Sequence, residues 1–477
     1  MADYIPTIGV ETHVQLKTKT KLFAAVGNDA RLAPPNTLIS HICVGMPGAL
    51  PVLNRGAVEL ASRAAFALNT KPQKFSRFER KHYFYPDLPK GYQITQLEDS
   101  IIKGGWVEIT LDGKAKRINI ERANLEEDAG KNIHPEGADY TLVDLNRAGT
   151  PLLEIVSRPD INSAVEAKTY ARELWLLMKY ADVTDGDLYH GHVRFDVNVS
   201  VSKEVGKLGT RTETKNLNSF RSVEAAIDYE IKRQTELLER GGKVILETRG
   251  WDEAKQKTTS QRGKEEAEDY RYMPEPDVPP LELDEDFDKE IEKQMPVLPI
   301  EIRAQLLGIG FIKGEIETLL DDPDLAKSYI SETLGIGPPA AVKLFGSTLI
   351  HDAKIREAFR AMNKQMKKDM VRNSMVAANA SVANQINSSQ YTNYIHQIAF
   401  SNKKAKDLLM DQISDEAEIE KIVAKVLSDN PKAAEDVKKG EMKAIGFLVG
   451  QVMVKSKGQA NPQMAQQLIK KQLGLVG

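Results

Sequence analysis

Val193-Arg-Phe-Asp-Val-Asn-Val-Ser-Val201 sets the fold class, because apolar and polar residues alternate strictly along it. Val193, Phe195, Val197, Val199 and Val201 face one way; Arg194, Asp196, Asn198 and Ser200 face the other. A period of two is that of a strand with one buried and one polar face, the usual state of an antiparallel sheet. Ile8-Gly-Val-Glu-Thr-His-Val-Gln-Leu16 repeats the pattern, with Ile8, Val10, Val14 and Leu16 on one side and Glu11 and His13 on the other. Ile118 to Asp128 and Leu152 to Val156 read as further strands.

Between these strands lie helical stretches at Val58 to Leu68, Ser163 to Tyr180 and Ser222 to Arg240, the last stopped by Gly241-Gly242. Tyr272-Met-Pro-Glu-Pro-Asp-Val-Pro-Pro280 and the acidic run Leu281 to Asp288 read as an extended exit from this region. Beyond Met295 the periodicity is helical only. Ile419, Ile422, Val423, Val426 and Leu427 form one amphipathic stripe, and Phe359, Met362, Met366 and Met370 a second, read as one helix. The expectation is an α+β protein: a catalytic domain on a mainly antiparallel sheet over residues 1–294, a helical domain over 295–404, and a small helical tail over 405–477.

A chain of 477 residues is too long for one core and calls for two or three domains. Its net charge of −3 supplies no general field for a polyanion, so nucleic-acid contact must rest on local basic patches. The single cysteine, Cys43, excludes an internal disulfide framework and fits a reducing, cytoplasmic compartment. No apolar run reaches the length of a membrane span, so no membrane partner is expected.

The polar strand faces carry the chemistry. Glu11 and His13, two residues apart, project from one side of a strand. Leu125-Glu-Glu-Asp-Ala-Gly-Lys131 brings three consecutive acids, and Asp144, Glu154 and Asp196 follow on later segments. A histidine among several carboxylates suits Mg²⁺ or Mn²⁺, whereas isolated acids on a strand face are ordinarily solvated. Lys81-His-Tyr-Phe-Tyr-Pro-Asp-Leu-Pro-Lys-Gly-Tyr-Gln-Ile-Thr95 is dense in hydrogen-bonding groups, and Gly209 to Ser219 sets Arg211, Glu213 and Lys215 on one strand face. Both can hold phosphate oxygens; a salt-bridged surface explains the second nearly as well. There is no GxxxxGK[ST] loop, and Gly308-Ile-Gly310 lacks the third glycine at the Rossmann spacing; with no GxSxG elbow either, the chain is not expected to release ammonia from glutamine by itself.

Taken in order, Val10 to Leu16, Gly45-Met-Pro-Gly-Ala-Leu-Pro-Val-Leu-Asn54, Tyr83 to Gln93, Leu125 to Lys131, Asp144 to Ser157, Gly209 to Phe220, Asp269 to Asp277 and Lys443-Ala-Ile-Gly-Phe-Leu-Val-Gly-Gln-Val-Met453 with Lys457 to Pro462 resemble the B subunit of the bacterial aspartyl/glutamyl-tRNA amidotransferases. The resemblance runs from about residue 5 to residue 474 and implies a cradle-like N-terminal domain. It further implies ATP- and Mg²⁺-dependent phosphorylation of the side-chain carboxylate of Glu-tRNA(Gln) or Asp-tRNA(Asn). Ammonia from an amidase (A) subunit then gives the amide, with a small C subunit completing the enzyme. On the family motifs, His13, Glu127 and Glu154 are the expected metal ligands, with Glu11, Glu126 and Asp196 close by as catalytic candidates. Tyr83, Lys90, Arg194, Ser200, Glu213 and Lys215 are expected to meet ATP and the acyl end. Lys438, Lys439, Lys443, Lys455 and Lys457 are expected to meet tRNA phosphates.

Two departures stand out. Many relatives carry a four-cysteine zinc site, but Ala24, Val26 and Ser40 stand near three of its positions, leaving only Cys43. One thiolate cannot build a structural zinc site, so no zinc is expected. Asn124 replaces the histidine usual before the acidic triplet. A non-catalytic tRNA-binding module is the competing reading, disfavoured by the intact acids and His13. An archaeal-type glutamyl-only relative would need a large inserted domain between Asp277 and Lys403, where only a helical stretch lies.

Overall fold

The computed structural model describes residues 4–263, 270–333, 339–383, 385–401, 404, 406–407, 416–439, 441, 443–456 and 460–475. Asp269, Lys457 and part of the expected 404/405 boundary lie outside them. The chain divides into two compact units, Met1–Leu298 and Pro299–Gly477.

The first unit is built on a nine-stranded sheet. Its strands are β1 (Ile5–Gln15), β2 (Ile102–Lys103), β3 (Trp106–Leu111), β4 (Lys114–Glu127), β5 (Pro151–Ser157), β6 (Val193–Ser202), β7 (Thr212–Leu217), β8 (Glu247–Asp252) and β9 (Lys257–Gly263). They run in the order β9-β8-β7-β6-β1-β5-β4-β2, with β3 also paired to β4. All pairings are antiparallel except β7 with β8. The alternating strands therefore lie together at the centre, β1 between β5 and β6.

One face of the sheet supplies the core. Ile8, Val10, Val14, Val193, Phe195, Val197, Val199, Leu153 and Ile155 are all at most 1% exposed. Each such side chain contributes about 1.5–3 kcal/mol by leaving water. Helices α2 (Ala164–Tyr180) and α3 (Phe220–Glu239) pack there, and Phe220 lies 5.6 Å from Trp175 and 5.9 Å from Phe195, ring centre to ring centre. Both helices begin at serine caps: Ser163 accepts from Glu166 N and Ser219 from Ser222 N. Gly241 ends α3 with φ +76, a conformation glycine adopts without strain.

The α+β reading holds, with two local corrections. The stretch after Tyr272 is strapped back rather than free. Met273–Pro274 pairs with Glu79–Arg80, Leu281–Glu282 pairs with Phe75–Ser76, and the Glu285–Lys293 helix packs on the Arg55–Ala67 helix. Its anchor is Glu275, fully buried and gripped by Arg80 through two hydrogen bonds of 2.8 and 3.0 Å. The methionine stripe is two helices, not one. Ala353–Ala361 ends where Met362 turns extended (ψ 142), and Lys364–Val382 begins at Asn363, whose side chain accepts from Met366 N at 2.9 Å.

A second polar centre braces the β7–β9 edge. The Glu230 carboxylate, 0% exposed, accepts from Thr212 Oγ1 at 2.7 Å, Arg233 Nη2 at 2.7 Å and Nε at 2.9 Å, lies 3.1 Å from Arg249 Nε, and also accepts from Thr258. Burial alone would raise its pKa. The Arg233, Thr258 and Thr212 hydrogen bonds outweigh that and hold it below the ordinary value of 4.5. Its stabilisation is thus complete above about pH 4.5 and is lost as pH falls through the folded-state value. Glu230→Ala removes the main partner of Arg233, which is left 3.9 Å from Glu247, while Arg249 keeps Glu247 and Thr258; it is expected to cost about 3 kcal/mol at neutral pH. The loss should shrink on acidification in paired denaturant titrations; a pH-independent loss would rule out the ionic account.

In the second unit, the helices Glu416–Asp429, Pro431–Lys438, Lys443–Lys455 and Pro462–Gln472 enclose a small core of their own. Ile419, Val423, Val426, Leu448, Val452 and Ile469 are fully buried in it, as the amphipathic stripe implies. No helix among the described residues is long and apolar enough to cross a membrane.

Candidate active site

The polar side of the central strands collects the ionisable groups. Sheet register places His13 beside Glu154 on β5 and Arg194 on β6, Glu11 beside Asp196, and Glu154 beside Asn124 on β4. Strand alternation then brings Glu126 to the same side. His13 Nε2 lies 3.6 Å from Glu11 Oε1 and 3.8 Å from Glu126 Oε1. Asn124 Nδ2 donates to Glu154 Oε2 at 2.7 Å, and Thr95 Oγ1 to Glu126 Oε2 at 2.8 Å. Among the described residues, Glu11, His13 and Asp196 form the group whose ligand atoms all lie within 4.8 Å of one another.

These charges are strongly coupled. Burial, then the Glu154 and Asp196 charges, push the Glu11 carboxyl up to about 9, and it shares a hydrogen bond with Glu154. Burial and Glu154 push Glu126 up to about 8 against the pull of Lys81 and Thr95. Burial would also raise Glu154, but His13 and the bonds from Glu11 and Asn124 hold it down. Burial lowers the His13 pKa against the opposing pull of Asp196 and Glu154. One imidazole amid carboxylates that cannot all ionise is a donor set short of positive charge.

Glu127 stands apart from this group. It follows Glu126 on the alternate side of β4, and its Oε1 is taken by Lys90 Nζ and by Ile94 N at 2.9 Å. Of the expected trio, His13 and Glu154 are therefore brought side by side, while Glu127 is engaged by Lys90 and Ile94. Arg194 is held by Asp128 at 3.1 Å, and the same carboxylate oxygen lies 3.2 Å from Arg147 Nε. Lys215 Nζ bridges Asp196 at 3.7 Å and Glu213 at 3.3 Å. Tyr83 stands beside Lys81, whose ammonium sits 5.9 Å from its ring and 4.8 Å from that of Tyr270. Ser200 does not join them. It is four residues along β6 from Asp196, about 13 Å at ~3.3 Å per residue, and its hydroxyl faces Thr7 O at 3.5 Å.

Lys81 is the residue that sequence reading passed over. Burial would lower its pKa, yet Glu126, Tyr272, Tyr270 and Glu154 together raise it. Its only signal in the sequence is its place in the segment Lys81–Thr95. In the tail, Lys438 and Lys443 are exposed, Lys439 pairs with Glu435 at 3.5 Å, and Lys455 pairs with Asp429.

A carboxylate-rich sheet face with one histidine, two arginines on one aspartate and two lysines at its border defines an enzyme domain that handles anions, not an inert scaffold. Comparison with known proteins narrows this. The family described as the GatB/GatE catalytic domain matches residues 6–289, and the GatB domain matches residues 376–473. The B subunit of the aspartyl/glutamyl-tRNA(Asn/Gln) amidotransferase of Alkalilimnicola ehrlichii is 42% identical, with 98% of each chain covered. The proteins of that name from Thermoanaerobacter pseudethanolicus and Thermotoga maritima are 41% and 40% identical, over 98% of this chain and 99% of theirs. The chain belongs to the GatB family.

Proposed function

We propose that this chain is the carboxylate-activating, tRNA-binding subunit of a glutamine-hydrolysing aminoacyl-tRNA amidotransferase, working with an amidase (A) subunit and a small C subunit in the cytoplasm. Its substrates are ATP and Glu-tRNA(Gln), Asp-tRNA(Asn) or both. The observation that carries the reading is the crowding of Glu11, His13, Asp196, Glu126 and Glu154 on one sheet face in a member of this family.

A side-chain carboxylate at neutral pH resists amines, so one of its oxygens must first become a leaving group. The carboxylate attacks the γ-phosphorus, ADP departs, and ammonia then displaces phosphate from the acyl carbon. Glu11, His13 and Asp196, with Glu126 and Glu154 beside them, are the donors that would hold Mg²⁺; hard oxygens with one imidazole suit it. The bound ion supplies charge neutralisation for the triphosphate. Arg194, braced by Asp128, and Lys215, braced by Asp196 and Glu213, orient phosphoryl oxygens. Tyr83 and the Lys90–Glu127 pair line the approach of the acyl end. Residues 1–294 carry this site, and the helical residues 295–404 and the tail from about 405 hold the body of the tRNA, with Lys438, Lys439, Lys443, Lys455 and Lys457 on its phosphates.

The test is ATP hydrolysis in the assembled enzyme. It is expected to require misacylated tRNA, and amide formation to require ATP and the amidase partner. Hydrolysis indifferent to the acyl group, or amidation without ATP, would sink the reading. We also propose that the chain holds no zinc. Cys43 is buried with Ser40 Oγ 3.4 Å from its sulfur, and Ala24 is a buried methyl. Elemental analysis is expected to find only traces; stoichiometric zinc would bring in His41 as a ligand.

A further inference from the structure

The loop between α2 and β6 carries an aromatic pair to which the mechanism above gives no task. The turn from Asp185 to His192 is firmly closed. His192 N donates to Asp187 O at 2.9 Å, Gly191 N to Leu188 O at 3.2 Å, and Trp175 Nε1 to Gly186 O at 2.8 Å. Asp187 pins His190, its Oδ2 lying 2.6 Å from Nδ1 and its Oδ1 accepting from the backbone N at 3.1 Å. At the tip, Tyr189 is 93% exposed, its ring edge-on to His190 with centroids 5.1 Å apart and planes at 89°. A ring so far out in water gains nothing for folding, yet its support is rigid.

This tip stands beside the phosphate-handling groups. Gly191, at φ +70, is so near Arg194 that a Cβ there would lie 4.0 Å from Arg194 Cδ. His192 O accepts from Gln15 N at 2.8 Å, two residues past His13. Tyr189 is thus an exposed aromatic ring on the loop that leads into the strand carrying Arg194.

We propose that Tyr189, backed by His190, is a stacking platform for an adenine base, a binding role that rests on the function proposed above. Stacking needs only the π-face, so it asks no hydrogen-bond partner of the protein, and one base on one aromatic ring is worth roughly 5- to 150-fold in affinity. The two substrates both offer adenine, in ATP and in the 3′-terminal nucleotide of tRNA.

In the assembled enzyme, Tyr189→Ala is expected to raise one KM by roughly 5- to 150-fold with little change in kcat, and Tyr189→Phe to behave as the parent. A rise in the KM for ATP assigns the platform to the nucleotide; a rise in that for aminoacyl-tRNA assigns it to the 3′ end. If neither constant moves, if Phe is as harmful as Ala, or if only subunit assembly weakens in sedimentation, the platform is overturned. The last outcome would make Tyr189 a subunit contact. If the parent complex makes no amide, the functional reading itself has failed. Titration of ADP and of a deacylated tRNA by calorimetry then judges the platform separately, and equal affinities for the parent and Tyr189→Ala overturn it.

Discussion

Replacing His13 by Ala or Asp196 by Asn is expected to lower kcat for amide formation by about 10²- to 10³-fold, the scale of losing one preorganised electrostatic contact. Aminoacyl-tRNA affinity should stay nearly unchanged, because these side chains lie among Glu11, Glu126 and Glu154 at the proposed phosphoryl site, and the proposed tRNA lysines are elsewhere in sequence. Asn124→Ala supplies the calibration. Its amide nitrogen orients Glu154 through a 2.7 Å bond while its oxygen accepts from Ser100 at 2.6 Å, so a smaller loss of about 10- to 100-fold is expected. Glu127→Gln should disturb Lys90 and the Ile94 amide more than the metal-suited group. The measurement is single-turnover amidation alongside equilibrium tRNA binding for each variant. If tRNA affinity falls in step with rate, the cluster is a binding surface and the assignment of chemistry to it is wrong.

The second large effect concerns the tail. Removing residues 416–477 takes away a region with its own core, so the sheet unit should fold as before, while Gln390 loses its contact with Ala460. Each lost lysine–phosphate contact lowers the slope of log K against log salt by about 0.7–0.9. The five proposed contacts, Lys438, Lys439, Lys443, Lys455 and Lys457, together set a maximum drop of about 4. Lys439 and Lys455 must first leave Glu435 and Asp429, which trims their share. Amidation should fail mainly through a raised KM for aminoacyl-tRNA, with glutamine hydrolysis by the amidase partner intact. An unchanged affinity and slope over a salt series would make the tail a structural extension.

What the sequence revealed and what it hid follow from range. The alternation in Val193 to Val201 and Ile8 to Leu16 reports burial on one face, a local property, and the sheet stands as read. The Met362–Asn363 break lies inside an unbroken apolar stripe, and only the cap bond to Met366 N tells that Asn363 starts a helix. In Glu126-Glu127-Asp128, consecutive side chains alternate sides, so the pattern says that one differs from the next but not which faces His13. That depends on β4 lying next to β5 and β5 next to β1, and the β5–β1 pairing joins residues more than a hundred positions apart. Lys81 was hidden for the same reason: its acids and its tyrosine neighbour Tyr270 come from distant segments.

The central position of β1 also bears on how the protein is made. The strand that synthesis delivers first among the described elements, Ile5–Gln15, pairs with Pro151–Ser157 on one side and Val193–Ser202 on the other. At about 5–20 residues per second, the ribosome needs roughly 10–40 s to supply both partners. Until Pro151–Ser157 is made, Ile8, Val10, Val14 and Leu16 have no sheet to enter and both hydrogen-bonding edges of the strand are open; one edge stays open until Val193–Ser202 follows. Such a segment invites pairing with other nascent chains. Slower elongation through residues 16–202 should therefore raise the demand for chaperones that shield extended apolar segments, whereas slowing beyond Val201 should not.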